Sequence, residues 1–245
     1  MKYFGFITVR SNSSRLKKKC LLKFGRYKVI EHIIIRAIKG GILPILCTTN
    51  DKSDDILFKI AKKRKIIFFR GCKNNKIQRW YDCAKENNID HFHTIDADDV
   101  FFDVKSIKKS INYCKEGFDI VYPSKISKSG GASEGYSFSI KSIEKIQKNI
   151  KKKNKNFFKL KTDWIEKFIN KKNFKIKSLN GMKYQIKNLR LTLDYLEDYI
   201  MLEKVRSKCG NFASRKKINN FLKYNKDVIK INYFRNNDWK KNLKI

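Results

Sequence analysis

Short apolar runs alternate with amphipathic stretches through the first half of the chain. Tyr3 to Val9 is a β-rich run of apolar and small residues that gives way to polar RSNSSRLKKK, so it predicts a strand opening into a loop. KVIEHIIIRAIK (28–39) carries apolar residues at helical spacing, Gly40 and Gly41 can end it, and ILPILCTT reads as a buried strand. Together these make a βαβ unit. The pattern repeats. A helix is predicted over 53–63, capped by Ser53 with Asp54 and Asp55 in its first turn, followed by the strand KIIFFRG. A helix over 76–88, a strand over 91–95, the acidic turn DADD, FFD and a helix over 104–113 come next. Alternation of this kind predicts a mostly parallel sheet covered by helices on both faces.

Beyond Phe118 the order loosens. FDIVYP reads as a strand, SKISKSGGASEG as a glycine and serine loop, and YSFSI, lysine-rich helices to about Asn170 and KIKSLNG follow. NLRLTLDYLEDYIMLEKVRSK reads as a strand ending at Asp194 and then a helix. The tail is helical before an irregular INYFRNNDWKKNLKI. The 245 residues suit one α/β domain spanning 1–245.

Charge complicates this picture. Lys+Arg is 58 against Asp+Glu 23, a formal net charge of +35, which suits a non-catalytic binder of nucleic acid or of an anionic surface. The basic residues, however, are mostly Lys, spread from end to end among Asn and Ile. A nucleic-acid reader gathers charge on one face and favours Arg at base edges, so nucleic acid is not the expected partner. Cys20, Cys47, Cys72, Cys83, Cys114 and Cys209 form no CxxC pair and no ligand spacing with the three histidines, which points to free thiols rather than zinc or a redox pair. No stretch reaches the ~18 apolar residues of a membrane span and the N-terminus lacks a signal-peptide pattern, so a cytoplasmic protein is expected.

Ligands of open α/β sheets bind beyond the carboxyl ends of the strands, and RSNSSRLKKK and DADD both follow predicted strands. The first offers Arg10, Arg15 and Lys19 with Ser13 and Ser14, donors able to wrap and neutralise a triphosphate, although a solvated basic loop would read the same way. DADD offers Asp96, Asp98 and Asp99 as hard oxygen ligands for Mg²⁺, against the plainer reading of a helix cap involving Asp103. Asp194, also after a predicted strand, supplies a second metal ligand if the two turns meet. His32, His91 and His93 read as structural.

In order along the chain, these motifs resemble the cytidylyltransferases that include 3-deoxy-manno-octulosonate cytidylyltransferase and the spore coat polysaccharide biosynthesis proteins. VRSNSSRLKKKCL is similar to the family's opening ARxxSSRLPxKxL through Arg10, Ser13, Ser14, Arg15, Leu16 and Lys19, with Lys17 where the proline usually stands. CTTNDKSDD, FFRG, IQRWYDCAK and DADDVFFD follow the family order, with Val100 replacing a second proline. LRLTLDYLEDY fits R-x-T-x-D-x-x-x-D through Arg190, Thr192, Asp194 and Asp198.

The resemblance implies a Rossmann-like nucleotide-diphospho-sugar transferase (GT-A-like) fold, with a nucleotide-binding half over 1–117, an acceptor-binding half with the second metal ligand over 118–205 and a helical tail over 206–245. It implies that Arg10, Arg15 and Lys19 hold the CTP phosphates and that Asp98 and Asp194 hold Mg²⁺. Thr48 and Arg79 become candidates for lining the nucleotide pocket. The implied reaction moves CMP from CTP to an acidic sugar or related acid and releases pyrophosphate, for surface polysaccharide or glycoconjugate biosynthesis. Relatives often form homodimers. The main rival is a GT-A glycosyltransferase, since DADD contains its D-x-D arrangement, but the SSR loop suits a triphosphate better.

Overall fold

A computed structural model describes residues 2–124, 131–181 and 186–242. Strand β1 (Phe4–Thr8) is followed by a small antiparallel pair, β2 (Lys23–Phe24) and β3 (Tyr27–Lys28), and by helix α1 (Val29–Lys39). Then come β4 (Leu43–Thr49), α2 (Asp55–Arg64), β5 (Ile67–Gly71), α3 (Lys76–Glu86), β6 (His91–Asp96) and α4 (Val104–Lys115). The second half adds β7 (Ile120–Tyr122), β8 (Ser137–Ser139), α5 (Ile140–Lys153), β9 (Ile176–Ser178), α6 (Leu196–Cys209), α7 (Arg215–Tyr224), α8 (Lys226–Lys230) and α9 (Arg235–Asn242).

The described residues form a seven-stranded sheet in the order β5-β4-β1-β6-β8-β7-β9. β5, β4, β1 and β6 are parallel, and β8 runs antiparallel between β6 and β7. The mostly parallel sheet with helices on both faces is therefore present. Its central strands are apolar almost throughout because both faces are covered. On one face Ile7, Leu46 and Ile95 pack with α1, α2, α4, α6 and α7. On the other, Phe6, Ile45, Phe92 and Phe138 pack with α3 and α5, and Phe6 and Phe92 stack at 4.2 Å.

The chain runs outward from β1 to β4 and β5, then returns to the opposite flank of β1 with β6. The loops after β1 and β6 thus lie at the point where strand order reverses, at the carboxyl ends of the strands, which is where open α/β sheets bind ligands in a crevice.

Three local expectations need correction. No strand ends at Asp194: the segment lies outside the sheet, with Leu191 N donating to Gly131 O (2.8 Å) and Leu193 N to Asp98 O (2.9 Å). Leu189, Leu191 and Leu193 alternate into the core, which imitates a strand's period, but the partners are loop backbones. The helix expected from Ser53 instead starts with a 3₁₀ turn, Lys52–Asp54, capped by Asp51, whose carboxylate accepts from Ser53 N at 3.0 Å, while Asp54 turns inward. The tail expected to be irregular ends in α9. The lysine-rich region is helical as α5 and then proceeds through short 3₁₀ turns at Phe157–Lys159, Ile165–Phe168 and Lys171–Asn173. Residues 125–130 of the glycine and serine loop lie outside the described residues.

Gly135, beside β6, has φ +67°, and a Cβ there would sit 1.9 Å from Thr94 O and 2.8 Å from His93 Nε2. The obstacle is backbone, so Gly135→Ala should cost roughly 2–3 kcal/mol and lower Tm by roughly 5–10 °C in a thermal melt.

Candidate active site

The loop after β1 is tied down at its start. Asp54 accepts from Ser11 N (2.7 Å) through Oδ1 and from the Thr48 hydroxyl (2.8 Å) and the Thr49 hydroxyl through Oδ2. Burial alone would raise the Asp54 carboxyl, but these donors outweigh it and hold it below its ordinary value. The single proton of the Thr48 hydroxyl is shared between Asp54 Oδ2 and Val9 O, each 2.8 Å away, so this fully buried residue forms the floor under the loop. At the far end Lys18 adopts a left-handed turn (φ 52°) and the Cys20 thiol donates to Arg10 O at 3.8 Å.

That geometry sends Lys19 into the crevice. Its ammonium donates to Asp98 Oδ2, Asp194 Oδ1 and Leu193 O, each at 2.8 Å. Arg15 Nη2 reaches the same Asp194 Oδ1 at 2.7 Å. Residues 79 and 175 positions beyond Lys19 thus meet at one atom. Burial disfavours the charged ammonium, but Asp98 and Asp194 overcome it and hold Lys19 above its ordinary pKa. Burial likewise opposes ionisation of Asp98, and Lys19 reverses that, with Lys76 adding to the effect. Asp99 is pushed well above the usual carboxylate range by burial and by its neighbours Asp98 and Asp96. One acidic turn therefore holds two neighbouring carboxyls shifted in opposite directions, Asp98 down and Asp99 up.

Asp194 is fixed from behind. Arg190 Nη2 donates to its second oxygen (3.1 Å), and Arg190 Nε and Nη2 donate to Asp198 (2.9 and 3.1 Å). Asp198, fully buried at the start of α6, also accepts from Asp194 N (2.9 Å), Tyr195 N (3.0 Å) and Asn232 Nδ2 (2.9 Å). The acidic turn has its own support, which sequence reasoning missed. Three consecutive carbonyls, Val100, Phe101 and Phe102, accept from His32 Nε2 (3.1 Å), Arg215 Nη1 (2.8 Å) and Arg36 Nε (2.9 Å). A carbonyl can only accept, so His32 carries its proton on Nε2.

Of the residues read from sequence, Arg15, Lys19, Asp98 and Asp194 converge. Arg10 stands apart, 4.0 Å from Asp163. Ser13 is half-buried and Ser14 exposed on the same loop. Arg79 is buried against the end of β5, with Nη1 donating to Cys72 O (3.1 Å) and Nε without a partner. Lys76, missed in the sequence, pairs with Asp96 (3.2 Å) on the same rim and lies 5.4 Å over the Trp80 ring. All six cysteines are free. Among the described residues no helix is long and apolar enough to cross a membrane.

The strand order, with carboxylates and cations paired at its switch point, makes this an α/β protein with a nucleotide-diphospho-sugar transferase-like fold. The chain belongs to the cytidylyltransferase family, whose model matches residues 5–235. It is accordingly a CTP-dependent nucleotidyltransferase. It is 30% identical over 213 residues to an uncharacterised protein of Methanocaldococcus jannaschii, covering 83% of this chain and 84% of that one. The fold is similar to a cytidylyltransferase from Leptospira borgpetersenii (TM-score 0.78, 23% identity, 94% of this chain and 97% of that one). It is also similar to a CMP:2-keto-3-deoxy-manno-octonic acid synthetase solved with CTP (TM-score 0.64, 10% identity, 85% and 99%).

Asp198→Ala should destabilise the protein by about 3–5 kcal/mol in urea denaturation, because Arg190 would be left buried with a single carboxylate contact. A second expectation concerns pH. Burial lowers His32 to about 3 and His93 to about 4 from an ordinary 6.5. Below about pH 6.5 the unfolded chain takes up protons that the folded one refuses, so stability should start to fall near pH 6.5 and continue falling towards pH 4. Melts between pH 4 and 8 should show this decline, and His93→Gln should flatten it.

Proposed function

We propose that this protein transfers CMP from CTP to an acidic sugar or related acid, with release of pyrophosphate, and that the activated product feeds surface polysaccharide or glycoconjugate synthesis in the cytoplasm. The observation that carries the reading is the meeting of Asp98 and Asp194 at the Lys19 ammonium, with Arg15 alongside, at the switch point. The donor set suits Mg²⁺: two carboxylate oxygens and a backbone carbonyl already surround one cationic centre, and Mg²⁺ takes one or two carboxylates plus phosphate oxygens. Asp98 and Asp194 would hold it, and when bound it supplies neutralisation of charge on the phosphate oxygens.

In this reading Arg10, Arg15 and Lys19 grip the triphosphate, and Ser13 and Ser14 present the loop's polar groups to it. The cations stabilise charge on the departing pyrophosphate, and the fixed loop aligns the α-phosphorus with the acceptor oxygen. Thr48 sets the height of the loop through the Val9 carbonyl. Arg79 has one buried N–H to spare, which suits a carbonyl of the base. An anionic acceptor needs no general base, in keeping with His32 and His93 both being buried in structural hydrogen bonds. The rim over β6, β8 and β7 is left for the acceptor, where Tyr136 donates to Glu166 (2.7 Å) and Lys76 pairs with Asp96.

A thermal-shift panel of CTP, UTP, ATP, GTP, UDP-sugars and short DNA, each with and without Mg²⁺, tests the reading. CTP with Mg²⁺ should give the largest rise in Tm. A larger rise with a UDP-sugar would favour glycosyl transfer, and one with DNA alone a charge-driven binder. Asp98→Ala should reduce pyrophosphate release by about a hundredfold or more while remaining folded, and Arg15→Ala should chiefly raise the KM for CTP.

A further inference from the structure

Lys19 occupies the position that the proposed function gives to the metal. Its three N–H bonds are all spent, on Asp98, Asp194 and Leu193 O at 2.8 Å each. Asp194 has no oxygen to spare either: Oδ1 takes Lys19 and Arg15, and Oδ2 takes Arg190. With Asp198 paired to Arg190, the cluster holds three cations and three carboxylates and is neutral as it stands. The Asp194 side chain is only 3% exposed and that of Lys19 15%.

A bare divalent cation entering this cluster would have to expel the Lys19 ammonium from its partners and leave two positive charges uncompensated in a poorly solvated place. The metal–triphosphate complex faces no such obstacle. It brings its own anions, so Lys19 and Arg15 pass from the carboxylates to the phosphates as the metal takes their place on Asp98 and Asp194, and the surplus negative charge lies on phosphate oxygens, towards the exposed Arg10 and water rather than among buried groups.

Resting on the reading of Asp98 and Asp194 as the metal ligands, we infer that Lys19 is a built-in counter-ion that closes the site to free divalent metal, so that the substrate taken up is the preformed metal–CTP complex. Lys19 then acts twice, as a placeholder before binding and as a phosphate ligand afterwards. The binding order follows from where each charge can find a partner.

The test is Mn²⁺ binding to the full chain without nucleotide, followed by electron paramagnetic resonance. Wild-type protein should show only weak, non-saturating binding. Lys19→Met, which keeps the length and removes the charge, should bind Mn²⁺ at least about tenfold more tightly, whereas Lys19→Arg should remain closed to it. Lys19→Gln carries the same expectation as Lys19→Met should that variant not fold. Equal Mn²⁺ affinity in wild type and the neutral variants, or tight binding by wild type alone, would overturn the inference. A parallel melt of wild type with Mn²⁺ and CTP separates the two levels of argument. Stabilisation there with equal metal affinities means that only the counter-ion role fails, whereas no stabilisation means that the cytidylyl-transfer reading itself fails.

Discussion

The site depends on one buried carboxylate. Asp198 accepts five hydrogen bonds, two from Arg190 and one each from Asp194 N, Tyr195 N and Asn232. An ion so far from water is tolerable only when its lone pairs are filled and its charge is matched. Filling them fixes the backbone at residues 194 and 195 and the direction of Arg190. Asp194 is thereby presented to Arg15 and Lys19 in one orientation, and the loop after β1 closes down onto it. Asp98 comes to the same point from the other side of the crevice, its carbonyl accepting from Leu193 N.

The resemblance to the family includes prolines at two positions where this chain has Lys17 and Val100. Proline stiffens a loop by fixing φ, and here hydrogen bonds from distant elements restrain the same stretches. The Val100, Phe101 and Phe102 carbonyls are each held by a buried side chain from α1 or α7. Asp54 and Cys20 hold the two ends of the first loop. Such restraint demands more of the rest of the protein than proline does, because it works only when the helices that carry those side chains are in place.

Much of the fold was legible because period and position agree. The first four parallel strands and the helices between them announce themselves by apolar runs, caps and terminal glycines, and the acidic turn is conspicuous in so basic a chain. Legibility failed where burial pattern and hydrogen bonding part company. Leu189, Leu191 and Leu193 alternate as a strand does but bond to loops. Asp54 reads as a helix-dipole residue, yet it turns inward to hold Ser11, Thr48 and Thr49. Pairings such as Lys19 with Asp194, or Arg215 with Phe101, join distant parts of the chain, and no local pattern encodes them. The role of Lys76 was hidden for the same reason, since its partner Asp96 is twenty residues away.

Asn232, from the last quarter of the chain, also donates to Arg190 O (3.1 Å), completing the support of Asp194 from the tail. The order of synthesis therefore matters. β1, β4, β5 and β6 can pair as they emerge, since each needs only neighbours already made, and a nascent chain can lay down the floor of the crevice early. The acidic turn waits for Arg215, and the anchoring carboxylate waits for Asn232. The sheet strands thus precede in the chain the side chains that brace the site, and a chain stalled before Asn232 has every strand of the described sheet but lacks one of the five donors that hold Asp198.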